Sequence, residues 1–357
     1  MKRLVAWMTQ SRSLTRSGAF LLGASGLVLI MSLDCFYWQT PFCFREYPNF
    51  SPGHLFRSLL IILSIAAIGL GIMGKSRPAV TLSAEDGWSF ERLSVLVNIV
   101  AACLILALFV RAPALFETSA FEDGPVEWSS FVLLFSGSAV VTWTAIRYRG
   151  KDNVPRLATC GLVVLAVTLF LVAMEEISWG QRVFGFRTPD ALTANMQDEA
   201  NLHNLATNEV EFAYYFFVFV FMAVVPFVRV TSGLSFWSRT FEILEPRPFI
   251  ALMGCIACAY TYDMWNSLLM QVTFFGAVGI LIVFAVFAAN RLDRAVVLLT
   301  LVILLVSQVT FLVRGAFRPK KAEVNEYREL LMPLGLFLYA ISMSRELERT
   351  ARKRVEP

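Results

Sequence analysis

Charge is scarce in this chain. Only 16% of its 357 residues are Asp, Glu, Lys or Arg, against 57% hydrophobic, and a mean hydropathy of +0.63 excludes a water-soluble fold of this size. Histidine is scarcer still, with only His54 and His203. The HExxH pattern is absent, as are a nucleotide-binding loop, a nucleophile elbow and a haem ligand pair, so energy coupling to cytosolic nucleotides within this chain is not expected. The alternation of a membrane barrel strand is also missing, because the apolar runs are continuous. No small-x-small cleavage site follows the first of them, so Lys2, Arg3, Arg12 and Arg16 read as the front of a start-transfer helix that is kept.

What is present is a series of apolar runs close to the roughly 20 residues that a helix needs to cross about 30 Å of hydrocarbon. They extend approximately from Gly18 to Tyr37, Leu55 to Gly74, Leu93 to Phe116, Trp128 to Ile146, Leu157 to Met174, Phe212 to Val228, Phe249 to Tyr262, Leu268 to Ala289, Ala295 to Val313 and Leu330 to Met343. The seventh and tenth are short. Lipid offers the backbone no outside partner, so helices are expected. The expectation is an all-α polytopic bundle of about ten spans forming one integral membrane domain over residues 1–357, with both termini in the cytoplasm.

That orientation follows from the charges. With the N-terminus inside, most of the 31 Lys and Arg fall on the cytoplasmic side and most of the 27 Asp and Glu on the outer side, the positive-inside bias. The segment with Arg314, Arg318, Lys320, Lys321 and Arg328 runs against it, partly offset by Glu323, Glu326 and Glu329. The basic tail 344–357 reads as a solvated end facing lipid headgroups. Basic residues are spread without an aromatic platform, so no nucleic-acid partner is expected.

Cys35 and Cys43 fall near the outer end of the first span, where an oxidising compartment would allow a disulfide; two free thiols are the alternative. Cys255 and Cys258 form a C-x-x-C pair inside an apolar run with no basic neighbour to favour a thiolate. Small packing residues are the better reading of them.

The stretch LFLVAMEEISWGQRVFGF carries the main functional signal, because two adjacent acids, Glu175 and Glu176, close an apolar run. A helix stopping at Met174 would present both to its own negative end, which disfavours anions. The expectation is therefore a helix continuing through Ser178 and Trp179, which puts Glu175, Trp179 and Arg182 on one face and lets Arg182 hold Glu175.

The polar connection 175–211 follows, and within it Thr188, Pro189 and Asp190 mark the start of an interfacial helix on the outer face. Gln197, Asn201, Asn204, Asn208 and Glu211 recur at helical spacing along one face, as a carboxamide stripe facing polar partners, a sugar or a headgroup would. Glu199 lies four residues before His203, a spacing that suits a shared metal or a carboxylate-oriented imidazole. Two ligands do not complete a metal site, and Glu175, Glu176 or Asp123 would have to assist. The cofactor stays open, with a divalent metal as the one these groups would take. Glu122 and Asp123 lie before the fourth span; an ordinary turn is their simpler reading. Glu127, in the first turn of that span, complements the helix dipole.

The ordered set EDGPVEW, EEISWGQR, the NLHN of Asn201 to Asn204, and NEYRELL resembles a pattern shared by uncharacterised bacterial multi-span proteins of the inner membrane. The resemblance covers roughly residues 115 to 345. It implies an inner-membrane location with these residues as the signature, and no activity.

Three functions compete. An enzyme of the outer leaflet would act on a lipid headgroup or a lipid-linked sugar or phosphate. Its catalytic groups would be Glu175, Glu176 and His203, and Glu122, Asp123, Arg182, Gln197, Glu199, Asn201 and Asn204 would bind substrate. A non-catalytic scaffold or accessory subunit would use the same groups to join helix ends and receive a membrane partner protein. A transporter would need ionisable groups inside spans, where Asp34, Asn98, Asp263, Asn266 and Gln308 are the candidates.

Overall fold

The computed structural model describes residues 2–40, 42–73, 79–85, 87–121, 123–150, 155–188, 200–201, 206–233, 242–317 and 324–352, with side chains for all of these except residues 2–14, 182, 317 and 350–352. Thirteen α-helices are among them: α1 (Lys2–Leu33), α2 (Pro52–Ile72), α3 (Phe90–Arg111), α4 (Pro113–Ser119), α5 (Pro125–Tyr148), α6 (Arg156–Glu176), α7 (Gln181–Phe184), α8 (Thr207–Phe219), α9 (Val225–Ser232), α10 (Pro248–Ala257), α11 (Leu268–Phe287), α12 (Arg291–Arg314) and α13 (Val324–Arg352). The described residues contain no strand, only a bridge between Val80 and Ala288. The chain is an all-α, multi-pass membrane protein: among the described residues nine helical segments are long and apolar enough to cross a membrane, α8 and α9 counting as one with the π-turn between them.

The short seventh run is where the architecture departs from a simple bundle. α10 covers ten residues, about 15 Å of rise, half a membrane. Beyond it the chain climbs without helix to Asn266 and Ser267, whose backbone N–H and hydroxyl donate to the carbonyls of Glu46 (3.1 Å) and Phe44 (2.6 Å). Those bonds fix residues 266–267 beside the segment 42–51. One end of the bundle thus gathers residues 39–40, 42–51, 112–121, 123–124, 177–188, 200–201, 206 and 263–267, and is the loop end. The other, the tail end, gathers residues 79–85, 87–89, 149–150, 155, 233, 242–247 and 288–290 with the C-terminal turns of α13.

Burial shows where the centre lies. α10 is enclosed along its whole length after Pro248, packed among α3, α11, α12, α13 and the π-turn at Val220–Val224. That turn has a cause in the sequence: Pro226 has no N–H to give the Met222 carbonyl four residues earlier, and a wider turn is one way a helix absorbs this. Gly254 then meets the same place, since a Cβ there would come within 2.7 Å of the Met222 Cβ. α1 and α2 form a peripheral hairpin that reaches the rest mainly through α11.

α13 carries its own proline. Pro333 leaves the Glu329 carbonyl without an intrahelical donor, an expensive omission in hydrocarbon. The Ser130 hydroxyl of α5, wholly buried, supplies that donor at 3.0 Å, its one proton being shared with the Val126 carbonyl at 3.1 Å. Ser130→Ala is therefore expected to lower stability by about 1–3 kcal/mol, while in a Pro333→Ala background, where the backbone bond can form, the same substitution should cost far less; unfolding midpoints of the four proteins in detergent would check this.

The tail segment 344–352 belongs to α13, which continues unbroken through Arg352. Leu347 is buried there, and Arg349 pairs with Glu85, so this part of the tail packs against the bundle. The interfacial helix expected from Thr188 onward lies largely outside the described residues.

Candidate functional site

The two glutamates that close α6 come first. The helix does not continue through Ser178 and Trp179 as expected; it stops at Glu176. Ser178, Trp179 and Gly180 follow with φ of 47°, 55° and 76°, a left-handed turn that only the glycine adopts without strain. The turn swings Trp179 back so that its indole N–H donates to Glu175 Oε1 at 2.7 Å. Trp179 is thus a partner of Glu175; the expected pairing of Glu175 with Arg182 falls on a side chain outside the described residues. Gly180 was the available signal, because glycine just past an apolar helix marks its end.

Asn201 returns to the same place. It is buried, and its amide reaches the Glu175 carbonyl at 3.4 Å, one of the acceptors left over at the end of α6. Gln181 ties the connection at both ends: its oxygen accepts from the Ala200 N–H at 2.6 Å and its nitrogen donates to Thr188 Oγ1 at 3.0 Å.

Glu176 faces a different group. Its carboxylate lies within electrostatic range of Glu329 on α13 and Glu127 on α5, and Glu326 is within range of all three and of Glu211 on α8. Five acids from four helices thus converge at the loop end, each half-buried. Two tyrosines of α8 enter the same group. The Tyr215 hydroxyl donates to Glu329 Oε1, and Tyr214, whose hydroxyl is buried without a hydrogen-bond partner, faces Glu176 and Glu329.

Arg328, in the same turn of α13 as Glu326 and Glu329, is placed by other contacts. Only 1% exposed, it places its guanidinium 4.4 Å from the centre of the Tyr215 ring and donates to the Met270 sulfur at 3.0 Å, while its Nε has no partner. The guanidinium is thus a buried cation stacked on an aromatic face.

Glu127 and Asp123 resolve as local structure. Glu127, at the third position of α5, accepts from the Asp123 backbone N–H in the manner of a capping box. Asp123 has φ of 59° and is exposed in the turn.

A second polar knot adjoins the acids. Arg45 donates to Asn208 Oδ1 (3.1 Å), Asp263 Oδ2 (2.8 Å) and Glu211 Oε2, and Asn325 donates to the other oxygen of Asp263. Burial disfavours the charge on Arg45, but Glu211 and Asp263 outweigh it, so the guanidinium holds its proton more tightly than a free arginine. Arg45 thereby straps residues 42–51 over the loop end, assisted by His54, which bridges Glu46 and Ser51. Sequence reasoning gave Arg45 no part, since it stands alone in a short connection.

No family model, curated protein or solved structure matches this chain. The reading of the site rests on its own geometry.

Of the residues expected at a site, the structure brings Glu175 and Asn201 together and puts Glu176 among the other acids, while the Asp123 side chain stays on the surface. Glu122, Gln197, Glu199, His203 and Asn204 lie outside the described residues. Among the described residues no three His, Cys, Asp or Glu side chains are placed to hold a metal ion, and the expected pair Glu199 and His203 is not among them. Cys35 and Cys43 are free thiols. Cys255 and Cys258 are buried as packing residues, the Cys258 thiol donating to the Gly254 carbonyl.

Proposed function

We propose that this protein is an enzyme of a bacterial inner membrane that acts, at the outer face, on a lipid headgroup or a lipid-linked sugar or phosphate. The observation that carries the reading is the convergence of Glu176, Glu127, Glu329, Glu326 and Glu211 with Tyr214 and Tyr215 at the end of the bundle, where a headgroup would sit. Carboxyl groups drawn from separate helices can divide the work of proton transfer, one donating to a leaving oxygen while another activates the acceptor. Glu176 has the central place in this scheme and His203 is its acid–base partner; Asn201, two residues before His203, already docks on the Glu175 carbonyl. Arg182 would meet a phosphate, and Asn204 with Gln197 the hydroxyls of a sugar. The charge bias of the sequence supports placing the loop end outside the cell.

Transport is the second reading, favoured by one observation: α10 ends inside the bundle, as interrupted helices of transporters do. Glu176→Gln and His203→Ala, made separately in a host where loss of the gene has a phenotype, distinguish the two. For the enzyme each should abolish function while the protein still accumulates in the membrane. Normal function in both variants, with failure instead on replacing Asp263 or Asn98, would favour transport; loss of accumulation would favour a scaffold.

A further inference from the structure

The end of α10 holds an excess of oxygen atoms with nothing to bind. From Phe249 through Thr261 the chain is buried, yet from Cys258 it is no longer helical. The N–H groups of Cys258, Ala259 and Tyr260 are used on the carbonyls of Cys255, Ile256 and Ala257, each at 3.1 Å. Their own carbonyls accept no hydrogen bond among the described residues. Gln308 of α12 reaches in and gives its amide nitrogen to the Thr261 carbonyl at 2.9 Å. This leaves Gln308 Oε1 without a partner, and Thr261 Oγ1 is also unpartnered; Gln308 is 1% exposed and Thr261 0%.

Orphan acceptors at this depth are costly, and buried polar groups are almost always satisfied by something. Here the something has a definable character. The unsatisfied atoms around Thr261 and Gln308 are oxygens, and of them the hydroxyls of Thr261 and of Ser307, beside Tyr260, can also donate. The C-terminal end of α10 adds its partial negative charge at the same point. A cation satisfies several oxygens at once, whereas a water would donate two hydrogen bonds only. None of these groups is a carboxylate, so the charge suits a monovalent ion rather than the calcium or magnesium that carboxylate-rich sites select. Arg328, the buried positive charge nearby, acts on Cys258 while bound to Met270 of α11, whereas Thr261 lies against Gln308 of α12.

We propose that the break after α10 binds one alkali-metal cation through Thr261 Oγ1, Gln308 Oε1 and carbonyls between Cys258 and Tyr260. The site is separate from the acids of the loop end and does not depend on what they do. Oxygens at the open end of a half-helix are a recurrent way to hold such an ion within a membrane.

Thermal unfolding of the full-length protein in detergent, in sodium, potassium or choline chloride at one ionic strength, tests this. Sodium or potassium should raise the midpoint by a saturable amount over choline, the contrast between the two arms showing which ion fits. Thr261→Val should weaken the apparent affinity by about tenfold or more, and Thr261→Ser should restore it. Equal midpoints in all three salts would overturn the proposal and leave the oxygens to ordered water. Should Thr261→Val fail to accumulate, equilibrium dialysis of the unaltered protein against radioactive sodium and rubidium, the latter standing in for potassium, decides the matter: saturable binding of one ion per chain supports the site, and non-saturable uptake of both rejects it.

Discussion

Arg92→Ala is expected to cost about 3–5 kcal/mol of stability, the range for removing one member of a buried ion pair. Asp293, the partner on α12, is 0% exposed and accepts from Arg92 Nε at 2.8 Å, from Asn290 Nδ2 at 2.8 Å and from the Leu82 N–H at 3.2 Å. Without the arginine two neutral donors remain around a carboxylate with no counter-charge. The loss reaches further, because Arg92 also donates to the carbonyls of Glu85 and Gly87 and so holds residues 82–85 and 87–89 against the tail end. Arg92→Lys should recover only part of the loss, since one ammonium cannot reproduce a fork that serves both Asp293 and the loop carbonyls. Unfolding midpoints in detergent read both variants. A fall in Arg92→Ala no larger than that of an exposed substitution would show that the pair is not what closes this end.

Much of this architecture was legible in the sequence because lipid imposes it. A helix that crosses hydrocarbon has to be apolar for about 20 residues, and the runs that met this condition became the nine long segments. The run from Phe249 to Tyr262 was visibly too short. What it lacked in the sequence was any sign that the second half would leave the helix, because Cys258, Ala259 and Tyr260 are as apolar as what precedes them and the break is stabilised from outside, by Gln308 of α12 and by Tyr260 reaching the Ala102 carbonyl of α3. The acids were legible individually. Glu176 marked its place by closing an apolar run, and Glu326 and Glu329 stood out as acids at the front of the last one. Their company was not legible: Tyr214 and Tyr215 look like ordinary interfacial aromatics, and Arg45 meets Asp263 across 218 residues of chain, a separation that carries no periodic signal.

Arg57→Ala should be as damaging as the loss of Arg92, and its partner makes a sharper test. The guanidinium grips Asp34 with two bonds, Nε to Oδ1 at 2.6 Å and a terminal nitrogen to Oδ2 at 2.5 Å, with both side chains less than 10% exposed. A third bond goes to Gln271 Oε1 at 3.2 Å, which Ser58 also uses. The knot thus joins the π-turn that follows α1 with α2 and α11, and it is one of few links holding the peripheral hairpin to the rest. Removing Arg57 alone leaves Asp34 charged and buried, again for about 3–5 kcal/mol; removing both charges together, as Arg57→Met with Asp34→Leu, should return most of that loss, because two apolar side chains of similar volume satisfy a site that two ions occupied. The same double variant tests what the pair is for. If it serves only to balance its own desolvation, the hairpin stays docked and the midpoint recovers. If the pair fixes how α1 and α2 seat on α11, the double variant should regain its unfolding midpoint yet show faster cysteine labelling at Cys43, beside the segment that the hairpin carries.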